Sequence, residues 1–497
     1  MKLSQLIKNS NYVVAVNNFR DFEVKGISQD SNLIKNSFIF VAIKGMRFNG
    51  EQFISKIDKK KIIAIIISTK YKPKKEDSFT FIRSANIRKL YAEFSSLLYP
   101  NNIIEKVSVT GTNGKTSVTS YTTQIWKKKR YKSGSIGTLG LLINGKKIFD
   151  SQLTTPNPEL NHKYLAILSK KECEKVICEA SSIGLQQQRL YPIKFDKVAF
   201  TNLSLDHLDY HKTIRNYKKS KLLLFEEYVK ENTLAIIYSD SKYSKCFINL
   251  CKKKKIEVLD YGKKAKFFRI NSFRNYFDYS IISVSYKEKI YKIKVFGNSY
   301  YEVCNKICSL LIVFGKNLLP ENFELIKKLS NPSGRLENIF ECKSLSVFID
   351  YAHTPHALEN VLGTLKNKTQ GKLLLVFGCG GERDQSKRPE MTKIALKFSD
   401  IVFITEDNPR FEDSEQIFNQ MISGLGSKEL KKIKIIQARE EAISQAINTT
   451  NENDILLIAG KGHENYQISK GKKKYFSDKE VALRKLKNRK NVDRNRN

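Results

Sequence analysis

The segment Gly111-Thr-Asn-Gly-Lys-Thr116 contains the residue types of a phosphate-binding loop. It follows a β-rich run, residues 103–110, and a helix-compatible segment begins near Lys115. In a strand–turn–helix unit of this kind, backbone N–H groups point at the anion, and the glycines let the backbone approach it closely. The Lys115 ammonium would then reach the outer phosphates, and the Thr116 hydroxyl would hold a magnesium ion.

This segment is shorter than the full phosphate-loop pattern, because Val109 stands where that pattern has its first glycine. The alternative interpretation is an ordinary glycine turn that carries a solvated lysine. The predicted strand before the turn and the predicted helix after it favour the phosphate loop.

Glu179 and a group of histidines are further candidates for chemistry. Glu179 lies near the end of an apolar run, residues 175–180, and a buried acid must be paired, bound to a metal or placed at the mouth of a sheet. Five of the six histidines, among them His207, lie in polar, loop-like clusters. Thr116, Glu179 and His207 could form a shell for Mg²⁺, although magnesium prefers oxygen and the histidine could mark a second metal position. A salt bridge at Glu179 and structural histidines are the alternatives.

Three charged, turn-rich motifs follow predicted strands in the last third of the chain. They are Cys379-Gly-Gly-Glu-Arg-Asp384, Asp407-Asn-Pro-Arg410 and Gly460-Lys-Gly-His-Glu464. Asn-Pro forces a turn, and the planar guanidinium of Arg410 suits a carboxylate. Because the ends of parallel strands meet at one edge of a sheet, these motifs predict a pocket with arginines and one acid. Such a pocket suits a zwitterion that has both a carboxylate and an amine.

The elements that position these residues indicate an α/β protein of three domains, at residues 1–87, 88–329 and 330–497. The first segment has short strands and reveals no chemistry. The second alternates strands and helices as a parallel sheet does, and the third repeats that alternation in a Rossmann-like manner. We expect a disordered tail after Lys487.

The net charge of +38 would by itself suggest nucleic acid. However, the lysines are scattered through the whole chain, and no recognition motif for nucleic acid is present. We therefore expect no specific nucleic-acid binding, and anionic small-molecule substrates remain compatible with the charge.

Cysteine usage and hydropathy indicate a cytoplasmic protein without a membrane segment. The eight cysteines form no C-x-x-C pair, which agrees with a reducing compartment. No apolar run approaches the roughly 18 residues that a membrane span needs, and the N-terminus has no signal-peptide core.

The motifs, taken together and in order, resemble those of the Mur ligases. The residues that carry the resemblance are Thr110-Gly-Thr-Asn-Gly-Lys-Thr116, Glu179-Ala-Ser-Ser182, Thr201-Asn-Leu-Ser-Leu-Asp-His-Leu-Asp-Tyr-His211, Asp350-Tyr-Ala-His-Thr-Pro355, Phe377-Gly-Cys-Gly-Gly-Glu-Arg-Asp384 and Gly460-Lys-Gly-His-Glu464. The resemblance covers nearly the whole chain and all three segments.

The resemblance implies a fold and a reaction. It implies an N-terminal UDP-binding domain, a central ATP-binding domain with a phosphate-loop ATPase-like parallel sheet, and a Rossmann-like C-terminal domain that binds an amino acid. It implies splitting of ATP, with Mg²⁺, to join an amino acid to a UDP-linked muramoyl peptide. Asp407-Asn-Pro-Arg410 is similar to the motif of the members that add meso-diaminopimelate to UDP-MurNAc-L-Ala-D-Glu. Lysine-adding members lack that arginine, since lysine has no second carboxylate for it to hold. We expect a monomer.

The resemblance also implies a role for each matching residue. Lys115, Lys221 and His207 would be catalytic, and Lys221 matches a lysine that the family carbamylates with CO₂. Thr116, Glu179, His207 and Lys221 would hold Mg²⁺. The expected ATP-binding residues are Gly111, Thr112, Asn113, Gly114, Lys115, Thr116, Asn305, Arg335 and Asp350. The expected substrate-binding residues are Ser31, Thr154, Thr155, Ser181, Gln187, Arg189, Arg388, Asp407, Asn408, Arg410, Gly460 and Glu464.

Two positions depart from the family pattern, and two rival functions stay open. Asn32 stands where the family often has arginine, and Ile183 replaces a histidine. Both departures concern details of the sugar-nucleotide site. The rivals are a related ligase such as folylpolyglutamate synthetase, against which Arg410 argues, and a non-catalytic nucleic-acid-binding relative, against which Lys115, Glu179 and Lys221 argue.

Overall fold

A computed structural model of the protein describes residues 1–45, 48–58, 60–74, 78–276, 279–297, 299–342 and 345–494. Its strands form three main sheets of five, eleven and six strands. Each sheet has a buried apolar cluster on both of its faces. The predicted α/β class is therefore confirmed. No helix in the described ranges is long and apolar enough to cross a membrane.

The first sheet has the order β1-β5-β4-β3-β2 and is parallel except for β1. Strands β3 and β4, in its interior, consist mostly of Ile, Phe and Val, as expected for strands that are covered on both faces. Helix α2 caps its own N-terminus through Asn86 and buries Leu90, Tyr91 and Phe94. The elements are α1 (Leu3–Lys8), β1 (Ala15–Asn17), β2 (Gly26–Ser28), β3 (Phe38–Val41), β4 (Ala64–Ser68), β5 (Thr80–Ser84) and α2 (Ile87–Leu98).

The central sheet has the order β16-β15-β14-β13-β12-β11-β6-β10-β7-β8-β9. Strands β6, β7 and β10 to β14 are parallel, and β6 lies between β10 and β11, so the loop after β6 opens at the middle of the sheet. The strands are β6 (Glu105–Thr110), β7 (Ser133–Gly137), β8 (Gly140–Ile143), β9 (Lys146–Phe149), β10 (Lys175–Ala180), β11 (Phe195–Phe200), β12 (Val229–Tyr238), β13 (Glu257–Gly262), β14 (Phe268–Asn275), β15 (Tyr279–Tyr286) and β16 (Lys289–Phe296). The helices are α3 (Lys115–Lys128), α4 (Pro158–Lys170), α5 (Ser182–Gln186), α6 (Leu208–His211), α7 (Ile214–Glu226), α8 (Ser244–Lys253), α9 (Tyr300–Phe314) and α10 (Glu324–Lys327).

The two ends of the central sheet are antiparallel, which the purely parallel prediction for residues 88–329 did not anticipate. Strands β14 to β16 form one antiparallel extension and β7 to β9 form the other. Burial along β15 alternates residue by residue, because only one face of this extension packs on the core. That two-residue periodicity was the available signal.

The third sheet has the order β17-β18-β22-β19-β20-β21 and is parallel except for β17. The sequence pattern predicts strands at residues 345–350 and 454–459 and helices at residues 355–366 and 415–425. Strands β18 and β22 and helix α11 have these bounds, whereas α13 ends four residues before its predicted end. The strands are β17 (Glu337–Cys342), β18 (Leu345–Asp350), β19 (Leu373–Phe377), β20 (Ile401–Ile404), β21 (Ile433–Ile435), β22 (Asp454–Ala459), β23 (Tyr466–Ser469) and β24 (Lys472–Tyr475). The helices are α11 (Pro355–Lys366), α12 (Lys387–Phe398), α13 (Ser414–Met421), α14 (Ser427–Leu430), α15 (Arg439–Thr449) and α16 (Asp478–Arg494).

The expectation of disorder after Lys487 was wrong for residues 488–494, because α16 continues to Arg494. Helix α16 packs its Val481, Ala482 and Leu486 against the third sheet. Arg489 then donates to the carbonyl oxygens of Ile447 and Thr450, at 2.6 and 2.9 Å. These bonds satisfy carbonyl groups at the end of α15 and extend α16 beyond its apolar part.

A buried ion pair joins α15 to α16. Arg439 and Asp478 have fully buried side chains, and Arg439 Nε and Nη2 lie 2.7 and 2.8 Å from the two Asp478 oxygens. Arg439 Nη2 also donates to the carbonyl oxygen of Ala459, at 2.8 Å, and Nη1 to that of Glu406, at 3.2 Å. This arginine therefore binds the last residue of β22 and the segment after β20 together.

We predict that Arg439→Met lowers the free energy of unfolding by about 3–5 kcal/mol, because it leaves the Asp478 charge buried without a partner. Urea denaturation at neutral pH, followed by fluorescence and circular dichroism, measures the effect. Arg484→Met is the matched control: Arg484 and Glu440 form an exposed ion pair at 2.7 Å, which is expected to contribute under about 1 kcal/mol. Equal losses in the two variants would contradict a stabilising role for the buried pair.

Candidate active site

The loop between β6 and α3 is built for close backbone approach. Gly114 has a φ of +89°, and a Cβ there would lie 2.6 Å from Asn305 Oδ1. A Cβ on Gly111 would lie 1.9 Å from Thr201 Oγ1. Asn202, which follows β11, fixes the loop by accepting from the N–H groups of Thr112 and Asn113, at 2.8 and 3.0 Å. The loop therefore has the glycines and the fixed backbone that a phosphate cradle requires.

Two lysines meet at this loop. Lys115 Nζ donates to the carbonyl oxygens of Gly111 and Thr112, at 2.8 and 2.9 Å. Lys221, on α7, is 1% exposed, and its Nζ also donates to the Gly111 carbonyl oxygen, at 2.8 Å. Burial, and then the charge of Lys115, lower the pKa of Lys221 well below its usual value. The Lys221 amine is thus shifted towards its neutral, nucleophilic form.

Glu179, on β10, lies beside Thr116. Its Oε2 accepts from Thr116 Oγ1 at 3.0 Å and from Thr138 Oγ1 at 3.0 Å, and its Oε1 accepts from the Thr138 N–H at 2.9 Å. Burial raises the pKa of Glu179, and the charge of Lys115 opposes that shift. A buried carboxylate and a hydroxyl at this separation provide the oxygen ligands that Mg²⁺ prefers.

His207 lies at the N-terminal end of α6 with a φ of +54°. Its Nε2 is 3.5 Å from Asp206 Oδ2, and burial together with nearby Lys221 and Lys115 lowers its pKa although Asp206 opposes the shift. Within the described ranges, no group of three or more His, Cys, Asp or Glu side chains is arranged to hold a metal. Of the four expected magnesium ligands, the structure thus brings Thr116 and Glu179 into direct contact. Lys221 contacts the loop at Gly111, and the His207 ring centre lies 6.2 Å from that of Tyr217, whose hydroxyl is 3.0 Å from Thr112 Oγ1.

The residues expected to hold the muramoyl peptide form one connected network next to Glu179. The Thr138 and Thr154 hydroxyl oxygens lie 3.2 Å apart, and Thr154 is the donor of this bond because the Thr138 hydroxyl donates to Glu179. Thr155 Oγ1 donates to the Glu179 carbonyl oxygen at 2.8 Å. Further bonds link Thr155 to Ser181 at 3.0 Å, Arg189 to the Thr155 carbonyl oxygen at 2.8 Å, and Arg189 Nη2 to Gln187 at 2.8 Å. The structure therefore brings these five predicted residues together.

Ser31 and Ile183 concern the expected sugar-nucleotide site. Ser31 begins a short 3-10 helix, Ser31–Leu33, beside the first sheet, where Asp30 accepts from the Asn32 N–H at 2.9 Å. Ser31 follows β2 of the first sheet, whereas the other predicted site residues belong to segments of the second and third sheets. Ile183 lies in α5, the short helix that Ser181 caps by accepting from the Gly184 N–H.

A cavity lined by residues of the central and C-terminal parts of the chain lies beside the loop. Asn113, Gly114, Asn305, Arg335 and Asp350 line it, so the expected nucleotide residues from both halves of the chain share one space. Asp350 accepts from the N–H groups of Leu336 and Ala352, at 2.6 and 2.7 Å. These bonds fix the acid at the end of β18.

Three further side chains in this cavity were not singled out for the nucleotide by sequence reasoning. They are Tyr301, His356 and Asn360. Tyr301 OH lies 3.4 Å from His356 Nε2, and Asn360 Nδ2 lies 3.1 Å from His356 Nδ1. The available signal was the four-residue spacing of His356 and Asn360 on the predicted helix, which puts both on one face.

The third sheet brings five predicted pocket residues together at its strand ends. Asn408 Nδ2 donates to Glu464 Oε2 at 3.0 Å, and a Cβ on Gly460, whose φ is +106°, would lie 2.9 Å from Asp407 Oδ2. Arg410 has a φ of +59°, and its Nη1 donates to the carbonyl oxygens of Gly381 and Asn408, at 2.8 and 3.2 Å. Burial and the charge of Arg383 lower the pKa of Arg410, and the nearby charges of Asp407 and Glu464 oppose that shift.

Arg388 differs from the other predicted pocket residues. It is fully buried, and its guanidinium makes a bidentate ion pair with Glu412, at 2.5 and 2.8 Å, and donates to Gln420 at 2.7 Å. Its Nη2 also donates to the Gly380 carbonyl oxygen at 3.2 Å. Its direct contacts therefore anchor the glycine turn after β19, and its contact with an amino acid stays a prediction.

Arg335 and Tyr351 connect the cavity beside the loop to the residues at the strand ends of the third sheet, which we call the strand-end pocket. Arg335 Nη2 lies 3.5 Å from Thr116 Oγ1, and its guanidinium lies 4.5 Å from the centre of the Tyr351 ring. The Tyr351 hydroxyl lies 3.4 Å from Glu464 Oε1. A chain of three contacts thus leads from the phosphate loop to the acid of the pocket.

Comparisons with known proteins agree with this arrangement. Residues 109–313 match the family model described as "Mur ligase middle domain", and residues 334–462 match "Mur ligase, glutamate ligase domain". The UDP-N-acetylmuramoyl-L-alanyl-D-glutamate–2,6-diaminopimelate ligase of Aquifex aeolicus is 38% identical over 92% of this chain and 93% of its own length. The ligase of the same name from Rickettsia typhi is 36% identical over 94% of each chain.

Solved structures also share the fold. A ligase of that same name covers 94% of this chain and 95% of its own, with a TM-score of 0.62 and 26% identity. The folylpolyglutamate synthase of Mycobacterium tuberculosis covers 79% of this chain and 93% of its own, with a TM-score of 0.62 and 16% identity, which is a likeness of fold alone. The predicted resemblance is therefore confirmed, and the chain belongs to the Mur ligase family.

Proposed function

We propose that this protein is an ATP-dependent ligase that adds meso-diaminopimelate to UDP-MurNAc-L-Ala-D-Glu in peptidoglycan precursor synthesis. The observation that carries the proposal is the short distance between its two sites. Thr116, Arg335, Tyr351 and Glu464 are in sequential contact, so a group activated at the phosphate loop can meet an amine held in the strand-end pocket. The relatives that share about a third or more of this sequence are named for that reaction.

The proposed reaction has two steps. An oxygen of the D-Glu side-chain carboxylate attacks the γ-phosphorus of ATP, the bond to the β–γ bridging oxygen breaks, and an acyl phosphate and ADP form. The neutral amine of the amino acid then attacks the acyl carbon, loses a proton, and expels phosphate to leave an amide. Phosphorylation is needed because a carboxylate is a poor electrophile.

The residues of the chain mainly position groups and neutralise charge in the first step. Loop N–H groups and Lys115 would hold the phosphates, and Arg335 would approach them from the third sheet. When bound, Mg²⁺ would neutralise phosphate charge; Thr116 and Glu179 are its best-placed ligands, and His207 is a further one. Since the Lys221 amine is shifted towards its neutral form, it can add to CO₂ and release a proton. The product is a carbamate anion beside the loop.

The pocket would bind the amino acid as a zwitterion. Arg410 would hold the carboxylate that is distal to the reacting amine, and Glu464, with Asn408 and Asp407 beside it, would hold an ammonium group. Domain closure would then bring this pocket to the acyl phosphate. We further propose three domains at residues 1–87, 88–329 and 330–497, each with its own sheet, and a cytoplasmic monomer without a nucleic-acid or membrane partner.

The test is phosphate release by the purified protein with ATP, Mg²⁺, UDP-MurNAc-L-Ala-D-Glu and a panel of amino acids. We expect release with meso-diaminopimelate and little with lysine, because Arg410 has no carboxylate to hold in lysine. No release with any member of the panel would reject the proposal. Release with a folate and glutamate would favour a folylpolyglutamate synthetase, and salt-dependent RNA binding without turnover would favour a nucleic-acid-binding relative.

We predict that Arg410→Ala raises the KM for meso-diaminopimelate about 10- to 150-fold, which corresponds to a lost charge-assisted bond of roughly 1.5–3 kcal/mol. The KM for ATP should stay unchanged, because Arg410 lies at the third sheet's strand ends and not at the loop. Steady-state phosphate release measures both constants. Arg484→Ala, an exposed arginine of the same part of the chain, is the control. A KM for meso-diaminopimelate equal to that of the unmodified protein would remove Arg410 from the pocket.

We predict that Lys221→Ala lowers kcat by about 100-fold or more, because it removes a preorganised charge beside the phosphate loop. Formate or acetate should partly restore the rate, since a small carboxylate can occupy the space and supply the charge of the carbamate. Lys219→Ala, an exposed lysine on the same helix, should be as active as the unmodified protein. Loss of activity that no carboxylic acid restores would argue against the carbamate.

A further inference from the structure

Lys461 is a fully buried lysine at the end of β22 that the proposed mechanism does not yet use. Its Nζ lies 3.3 Å from Asn408 Oδ1 and 3.3 Å from Glu464 Oε2. Its ammonium also lies 5.5 Å from the centre of the Tyr466 ring. Lysine is almost never fully buried unless it is paired, so these contacts account for its position.

Two glycines shape the backbone on either side of Lys461. Gly460 and Gly462 flank it with φ values of +106° and +55°. A Cβ on Gly462 would lie 2.7 Å from the Gly334 carbonyl oxygen and 2.8 Å from the Tyr351 Cβ, so the chain packs tightly on that side. The two glycines therefore let the strand end turn while the lysine between them points inward.

The two carboxylate oxygens of Glu464 differ in their hydrogen bonding. Oε2 receives Lys461 Nζ and Asn408 Nδ2, at 3.3 and 3.0 Å. Oε1 has a long contact of 3.4 Å with the Tyr351 hydroxyl and keeps acceptor capacity for another donor. An ammonium group of a substrate is such a donor.

Glu464 also lies near a second carboxylate. Burial raises the pKa of Glu464, Asp407 raises it further, and Lys461 opposes both effects. The other charged or titratable groups that act on this site are Arg410, Arg439, Tyr351 and Tyr466. Without Lys461, two acids would lie close together in a buried place, and one of them would take up a proton.

We propose that Lys461 is a positioning residue for the amino-acid substrate. It holds the side chains of Glu464 and Asn408 in place and keeps Glu464 an acceptor for a substrate ammonium. The substrate class is a zwitterionic diamino acid whose distal carboxylate lies at Arg410. This inference rests on the proposed function and adds to it the residue on which binding of the ammonium depends.

The test is Lys461→Met, which keeps the length of the side chain and removes its charge. The KM for meso-diaminopimelate should rise about 10- to 100-fold, whereas the KM for ATP should change little. The dependence on pH is the more specific measurement. In the variant the pKa of Glu464 should lie higher, because the charge of Lys461 no longer opposes burial and Asp407. The KM should therefore fall as the pH rises, and this fall should occur at a higher pH than in the unmodified protein.

Two controls separate this effect from damage to the fold. Lys366→Met removes an exposed lysine of the same part of the chain, paired with Asp400 at 2.9 Å, and should leave the KM values and the pH profile unchanged. In a Glu464→Gln background, Lys461→Met should change the KM for meso-diaminopimelate by less than about threefold, because its target is gone. If Lys461→Met does not fold, Lys461→Gln, which keeps a hydrogen-bond donor without charge, is measured in the same way.

An unchanged KM for meso-diaminopimelate and an unchanged pH profile in the folded variant would overturn the role of Lys461. An undiminished effect of Lys461→Met in the Glu464→Gln background would also overturn it. These outcomes differ from a failure of the proposed function, in which the unmodified protein would release no phosphate with meso-diaminopimelate.

Discussion

The convergence of Lys115 and Lys221 on the Gly111 carbonyl oxygen is the interaction on which the rest of the site depends. Two cations this close together and away from water repel each other, so the charge of Lys115 adds to burial in lowering the pKa of Lys221. Burial also lowers the pKa of Lys115, but the charges of Glu179 and Asp206 oppose that shift. The pKa of each lysine therefore depends on the other charged groups around this one carbonyl oxygen.

The sheet order explains why these groups are near one another. β6 lies between β10 and β11, so the loop after β6, Glu179 on β10, and Thr201 and Asn202 after β11 all meet at one edge. The third sheet repeats this arrangement: the residues after β19, β20 and β22 form the strand-end pocket. In both sheets the candidate site residues lie at the carboxyl ends of parallel strands, where chain segments that are far apart in sequence come within hydrogen-bonding distance.

Burial has a different role in the two sites. At the phosphate loop it shifts Lys221 towards a neutral amine, which is a chemical change. Beside the third sheet, Arg388 pairs with Glu412 and Arg439 pairs with Asp478. These ion pairs bind strand ends and helices together, so the protein itself neutralises their charges. Arg410 contacts two carbonyl oxygens and Glu464 keeps acceptor capacity at Oε1, so these two residues are the proposed contacts for a ligand.

Local sequence determined much of this protein. The strand–turn–helix order around Gly111, the apolar strands that end near Glu179 and Asp350, and the four-residue spacings on the helices all depend on neighbouring residues, so they could be predicted. The motifs also identified the family, because their order along the chain is itself sequence information.

Only the tertiary structure decided which residues pair. Arg388 and Arg410 are both arginines near glycine turns, yet one is held by Glu412 and the other lies at the strand-end pocket. Lys461 and Arg439 are buried cations because β20, β22 and α16 pack around them. The antiparallel ends of the central sheet depend on which strands lie at its edges. Pairing, burial and edge position are long-range properties, since each is fixed by segments tens or hundreds of residues away. A local pattern such as the alternation along β15 indicates that one face of a strand is exposed, but it does not determine which strand it pairs with.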